Sequence, residues 1–254
     1  MIPQTFGEMI TVKADLHIHT VLSPCGDLEM SPRNIVDQAV RKDLKIIGIT
    51  DHNSTRQIDV VERLAAEAGI FVMGGVEITT REEVHCLAFF PDSAIRAVFQ
   101  EYIDRHQPAI PNKDGAFGYQ VVVDDEDQIL YMEEKLLITA LDKSINEIEK
   151  EVHRLGGIFI PAHIDRTVNS VFSQLGFIPP GLTYEGLGIT CYATENEVRG
   201  KFNIEKSCTL IKSSDAHYPE DIGKGYSLVT LEGCTFEEVR LALAGEGGRK
   251  VKPV

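Results

Sequence analysis

Short apolar runs rich in β-branched residues recur along the chain, separated by stretches with the helical period. Lys45-Ile46-Ile47-Gly48-Ile49-Thr50, Ile70-Phe71-Val72-Met73, Gly157-Ile158-Phe159-Ile160 and Thr209-Leu210-Ile211 are of this kind. Their unbroken apolar character predicts strands of a parallel sheet buried on both faces. A further run near the N-terminus leads into Asp15-Leu16-His17-Ile18-His19-Thr20. The intervening stretches carry helix punctuation. Ser31-Pro32 caps and opens an amphipathic run from Asn34 to Leu44. A second helix is expected over Arg56 to Ala68, stopped by Gly69. Ser144 with Glu147 reads as a capping box for a helix to Leu155, stopped at Gly156-Gly157. Thr235 with Glu238 reads as another, for a last helix ending near Gly245. About seven strands are expected, so a barrel built from them is irregular or short of eight.

The rhythm breaks over residues 100–142. Gln107 to Gly118 is loop-like, and Tyr119-Gln120-Val121-Val122-Val123 and Gln128-Ile129-Leu130-Tyr131 flank the acidic turn Asp124 to Asp127. That pattern predicts a hairpin-containing insertion, serving as a lid or substrate-facing loop or as a solvated decoration or dimer contact.

With 254 residues, 43% of them hydrophobic, the chain suits one α/β-barrel domain over 1–254. No stretch nears the roughly 20 apolar residues of a membrane span, and Met1 to Met9 lacks a secretory pattern. The five cysteines, Cys25, Cys86, Cys191, Cys208 and Cys234, are scattered, which suits a reduced, cytoplasmic protein. A formal charge of −14 argues against a large polyanion as partner. Bound divalent cations would reverse the field locally, so a small phosphate ester, or nucleic acid as a short substrate only, stays compatible.

The chemistry clusters where apolar runs end. His17 and His19, at i and i+2 on a strand, share one face, with Leu16 and Ile18 expected on the other. Such a pair is a ready chelate for Zn²⁺, Mn²⁺ or Fe. Asp51-His52, Glu77, His85, His163, and Asp215 with His217 follow similar runs. Asp51 is placed to orient the His52 imidazole. If the short turn after Thr79 centres on Arg81, Glu77 and His85 face each other directly, and the carboxylate can bridge two cations. Each motif has an ordinary reading: Asp-Ala-His as a polar loop, Glu77 paired with Arg81, His85 in the core beside Cys86. Together, polar groups just past successive strand ends describe an α/β-barrel active site.

The ordered set His-x-His, Thr-Asp-His, Gly-Val-Glu with His eight residues on, Ala-His and Ser-Asp-Ala-His resembles the polymerase and histidinol phosphatase (PHP) family from Asp15 to His217. The resemblance implies a distorted (β/α)7 TIM-like barrel with two or three divalent metal ions (Zn, Mn or Fe) at the C-terminal ends of its strands. By motif position His17, His19, Glu77 and Asp215 would hold the first ion. Glu77, His85 and His163 would hold the second, and His52 with His217 the third. One stretch departs from the family: Leu22-Ser23-Pro24-Cys25-Gly26-Asp27 has proline where small PHP phosphoesterases commonly have an aspartate. Cys25 or Asp27 is a candidate to replace it; otherwise the site holds two metals.

The expected reaction is hydrolysis of a phosphate ester by metal-activated water, with Glu77, Asp215, His217 and Arg166 the catalytic candidates. Lys212 and Lys143 are further candidates to contact phosphate. A phosphomonoesterase acting on a small phosphorylated metabolite or nucleotide is favoured, ahead of a nuclease working from the 5′ end of short nucleic acids. A non-catalytic PHP interaction module, and hydrolysis of a C–N bond on the related amidohydrolase barrel, are the readings of other classes.

Overall fold

Strands that are apolar on both faces need cover on both sides, which a curled sheet with helices outside provides. The computed structural model describes residues 8–113 and 116–254. Met1 to Gly7, on which the expected lack of a secretory pattern partly rests, and Asp114-Gly115 of the expected loop lie outside the described residues. In chain order the first strands are β1 (Ile10–Ile18), β2 (Leu44–Ile49), β3 (Phe71–Thr79), β4 (His85–Phe89), β5 (Val121–Val123) and β6 (Ile129–Met132). There follow β7 (Ile158–Pro161), β8 (Leu187–Ile189), β9 (Leu210–Lys212), β10 (Ser227–Leu231) and β11 (Lys250–Pro253). The helices are α1 (Pro32–Arg41), α2 (Ile58–Glu67), α3 (Ser93–His106), α4 (Ile145–Arg154), α5 (Val171–Leu175), α6 (Glu195–Phe202) and α7 (Phe236–Ala244).

The main sheet runs β11-β10-β1-β2-β3-β4-β7, with β8-β9 as a separate parallel pair. The result is an α/β fold with a curled half-barrel sheet. The sheet is mixed: β1-β2 and β2-β3 are parallel as expected, β4 is antiparallel to β3 as the expected pairing across the turn after Thr79 requires, and β10 is antiparallel to β1, which the parallel pattern did not predict. Thr80 to Val84 is too short for a crossover, which takes about a dozen residues, so β4 has to return antiparallel. Beyond the sheet, Ile164 N donates to Gly188 O at 2.8 Å, and Ile18 bridges Ala216. The β8-β9 pair thereby sits between the ends of β7 and β1.

Inside the curl lie Leu16, Ile46, Met73, Leu87, Ile160 and Ile211, with Val239 and Leu243 of α7 among them. Outside, α1 and α2 cover Ile47 and Ile49, and α3 and α4 cover Val76, Ile78 and Phe159. One irregularity matters for the site. Asp15 pairs with Ile47 and Ile18 with Ile49, so three steps of β1 oppose two of β2. This bulge re-aims the end of the strand. Leu16 joins the inner cluster, and His17 turns to the same side. The expectation that Leu16 and Ile18 both face away from the histidines is therefore right for Ile18 and wrong for Leu16.

Ser31 and Ser144 cap as expected, the latter with its full box. Thr235 accepts from Glu238 N, but the Glu238 carboxylate turns to Glu232 N and Arg249, so that box does not close. The second helix starts at Ile58 rather than Arg56, and the Gln57 side-chain amide just before it exchanges two 2.8 Å hydrogen bonds with the backbone of Val123. Residues 100–106 belong to α3, so the insertion proper begins at Gln107. Its hairpin is present as β5-β6. β5 is buried, and Val122 packs with Leu22 and Leu137. Gly118 passes so close to Pro24 that a Cβ would lie 1.9 Å from its carbonyl oxygen. The insertion thus leans on the Leu22–Asp27 loop. No helix among the described residues is long and apolar enough to cross a membrane.

Candidate metal centre

The residues singled out above converge on one rim. His17 is the penultimate residue of β1 and His19 follows the strand; Asp51 and His52 follow β2; Glu77 lies in β3, two residues before its end. His85 opens β4, which runs antiparallel and so starts at the same rim. His163 follows β7, and Asp215 and His217 follow β9. The register pairs Thr79 with His85 and Glu77 with Leu87. The turn therefore centres on Glu82, not Arg81, and Glu77 meets His85 diagonally, with His85 Nδ1 3.0 Å from Glu77 Oε1.

His17 Nε2, His19 Nε2 and Asp215 Oδ1 stand 3.2–3.3 Å apart, and each ring is also 3.3 Å from one Glu77 oxygen. An equilateral triangle of that edge is one face of a tetrahedron whose centre lies about 2.0 Å from each corner, the usual Zn–N and Zn–O distance. The donors fit a metal ion. Glu77 Oε1 also lies 3.0 Å from His163 Nε2, while Oε2 lies 3.2 Å from His52 Nδ1. That buried His52 nitrogen has no hydrogen-bond partner, an arrangement costing about 1–3 kcal/mol unless something binds there. The two oxygens of one carboxylate thus face different rings. A third set gathers His19, Cys25, His52 and His217, with Cys25 Sγ 3.1 Å from His217 Nε2. Asp27 lies apart, its Oδ1 accepting from Glu29 N at 2.8 Å.

Neighbouring groups set the tautomers. Ser23 Oγ donates to Asp51 Oδ1 at 2.6 Å, so it accepts from His19 Nδ1 at 2.9 Å and leaves Nε2 free for the centre. Asp51 also takes Thr20 N and Oγ1 at 2.7 Å. Its expected role is corrected accordingly: it positions His19 through Ser23 instead of orienting His52, since the strand end turns its carboxylate toward the Thr20–Ser23 turn. His217 Nδ1 donates to Asp215 O at 2.8 Å, leaving its Nε2 free as well.

Burial pushes Glu77 up, but His85, His17 and His52 together hold its carboxyl well below the usual range. Asp215 is likewise raised by burial and lowered further by His17 and His19. Burial lowers His52 and His163, and takes His217 down to about 4. His19 goes the other way, because Asp215 and Glu77 outweigh its burial. Burial of the sulfur raises the Cys25 thiol to about 11, against the pull of His19. Two members are also strained: His163 has φ 28° and Asp215 φ 54°. Left-handed backbone at such residues costs about 1–3 kcal/mol and gathers at functional sites.

A cavity of about 560 Å³ opens beside the cluster, bordered by Asp215, His217, Arg166, Lys224, Thr190 and Tyr192. Arg166 Nη1 donates to Asp215 Oδ2 at 2.8 Å. Lys143 pairs with Glu147 and Lys212 is buried in β9; neither borders this cavity. Ser23, Lys224 and Tyr192 were not assigned roles from the sequence. Only Ser23 had a local signal, four residues after His19 in a tight turn.

Among curated proteins, an uncharacterized protein of Methanocaldococcus jannaschii is 40% identical over 79 residues, covering 28% of this chain and 46% of its own length. A 5′-3′ exoribonuclease of Haemophilus influenzae is 36% identical over 74 residues, 29% of this chain and 26% of its own. This chain thus spans less than half of either relative. Among solved structures, the lesion-specific endonuclease Q of Pyrococcus furiosus superposes on 95% of this chain and 58% of its own, with a TM-score of 0.75 at 20% identity. Residues 15–165, which carry all the expected metal-binding positions except Asp215 and His217, match the PHP domain, and the chain belongs to that family.

Proposed function

We propose that this chain is a metal-dependent hydrolase that cleaves phosphate esters. The observation that carries this reading is the Glu77 carboxylate, shared between two sets of rings inside a cluster of six histidines. His17, His19, Glu77 and Asp215 would hold one divalent cation; Glu77, His85 and His163 a second; His52, Cys25 and His217 a third. A Cys25 thiolate would favour Zn or Fe over Mn. When bound, such cations acidify water and neutralise charge on phosphoryl oxygens. The chain's own residues do the positioning. Ser23 and Asp51 hold His19 in one tautomer, and the Asp215 carbonyl does the same for His217. Arg166 keeps further N–H donors for a phosphate oxygen after its bond to Asp215. The same reading takes the curled sheet and the β8-β9 pair together as a distorted seven-stranded β/α barrel, in a reduced cytoplasmic protein.

The preferred substrate is a phosphomonoester, because the adjoining cavity has small-molecule dimensions. A nuclease working from the 5′ end is the second reading, favoured by the activity named for the Haemophilus protein; the endonuclease named for Pyrococcus supports nucleic-acid cleavage only in general. The test is purification without chelators, metal analysis, and a screen of sugar phosphates, nucleotides and 5′-phosphorylated oligonucleotides. Inorganic phosphate with the matching dephosphorylated alcohol supports the first reading, and release of mononucleotides the second. Metal retained with no hydrolysis of any probe would leave a non-catalytic PHP module. Less than one ion per chain, unrecovered on adding Zn²⁺, Mn²⁺ or Fe²⁺, would overturn the metal centre itself.

A further inference from the structure

Resting on the phosphoesterase reading, we infer that Tyr192 is a stacking platform that selects phosphorylated substrates carrying a planar heteroaromatic base. Its side chain is 91% exposed, well beyond any other large apolar or aromatic residue described. An exposed ring on a mobile loop would mean little, but the backbone that presents this one is fixed at both ends. On the N-terminal side, Thr190 N and Oγ1 donate to the two Asp165 oxygens at 2.9 and 2.5 Å. On the C-terminal side, Thr194 and Glu197 close a full capping box at the start of α6. Between these anchors Ala193 N donates to Thr190 O at 3.4 Å, closing a turn with Tyr192 at its tip.

The turn borders the same cavity as Asp215 and His217, so one ligand can reach both. Two cations border it as well: Arg166, on Asp215, and Lys224, paired with Asp221. A phosphate held at the Arg166 end would leave the rest of the ligand toward Tyr192. A nucleobase stacks face to face on such a ring whatever its sequence, over a larger flat area than a single pentose or a short aliphatic chain can offer. The chemistry recognised is therefore a nucleoside 5′-phosphate unit, whether a free nucleotide or the end of a single strand.

The experiment compares wild type, Tyr192→Leu and Tyr192→Phe, all loaded with metal. The probes are adenosine monophosphate, a 5′-phosphorylated tetranucleotide, and ribose 5-phosphate as the base-free reference. Tyr192→Leu is expected to raise KM for a base-bearing probe roughly tenfold relative to ribose 5-phosphate, the size of one lost stack, with kcat little changed. Tyr192→Phe should restore the ratio, because the ring and not the hydroxyl stacks. The probe with the larger change identifies the source, free nucleotide or strand end. An unchanged ratio for both base-bearing probes would overturn the assignment while leaving hydrolysis intact. If no probe is turned over, the same proteins are compared by equilibrium dialysis with adenosine monophosphate. Weaker binding by Tyr192→Leu alone then upholds the platform, and equal binding by all three removes it.

Discussion

The cluster has a buried half and a rim half, and they are held by different means. His17, His19 and Glu77 are 0–3% exposed, and strand geometry, the β1 bulge and the Asp51–Ser23–His19 chain of hydrogen bonds fix their donor atoms. At the rim, His217 keeps about a quarter of its side chain exposed and Cys25 lies at the surface. His217 is steadied by one backbone carbonyl, and Cys25 by a loop that depends on the insertion packed against it. The buried half is fixed by the sheet and its hydrogen bonds, and the rim half by its loop. Ions at the two halves should therefore differ in how firmly they are held.

The comparison breaks most severely at Glu77, which belongs to more than one set. Glu77→Gln is expected to lower kcat/KM by about 10³-fold and to cost more metal than any single-histidine change, each nearer 10- to 100-fold. Near-normal turnover with full metal content would show that the carboxylate does not bridge. Asp51→Asn leaves every donor in place but weakens the hold on His19. Metal affinity should fall about tenfold while saturating metal restores the rate, as read by metal titration. Cys25→Ser should act on the rim alone, removing up to about one ion with a smaller loss of rate. Asp27→Ala should stay within about twofold. An anomalous-scattering map with no ion within about 2.3 Å of Cys25 Sγ would remove the thiol from the site.

His153, outside the cluster, sets the baseline. Its pKa is raised by Glu185 against its partial burial, with Glu149 adding to the effect. The protonated form is favoured on folding, so its contribution is complete below about pH 6.5 and is lost as pH rises through the raised value. In this half-exposed setting solvent screening keeps it under about 1 kcal/mol. Denaturation of His153→Gln should converge with wild type at high pH, with no change in metal content at any pH.

The His-x-His pair, Glu77 and the Asp-x-His pair were legible because apolar runs end on them, and strand ends share a rim when β/α units alternate. Less visible were features set by tertiary pairing. The β1 bulge is a mismatch between two strands, and no pattern within either one encodes it. The antiparallel return of β4 was implicit in the short Thr80–Val84 link, whereas the turn centre depended on a two-residue step of register, which keeps the same face. Asp51 was read through its neighbour in sequence, His52, but its oxygens were claimed by Thr20 and Ser23 from another strand end. Helices α3, α5 and α6 have weak signals because α5 is very short, α6 carries few apolar positions, and those of α3 are spread around its circumference, with Val98 left exposed. Tyr192 and Lys224 belong to the cavity only through folding, so no local motif announces them.

The outer strand of the insertion bears on how copies of this protein meet one another. Ile129, Leu130, Tyr131 and Met132 are all exposed, and among the described residues β6 pairs only with β5. An open apolar edge of this sort invites a strand from a second molecule. Asp124 to Asp127 on one side and Glu133-Glu134 on the other act as gatekeepers, and the charge of −14 keeps molecules apart near neutrality. With a pI near 5.0, mild acidification removes that mutual repulsion while leaving the greasy edge unchanged. Colloidal stability is then expected to fail first at this hairpin.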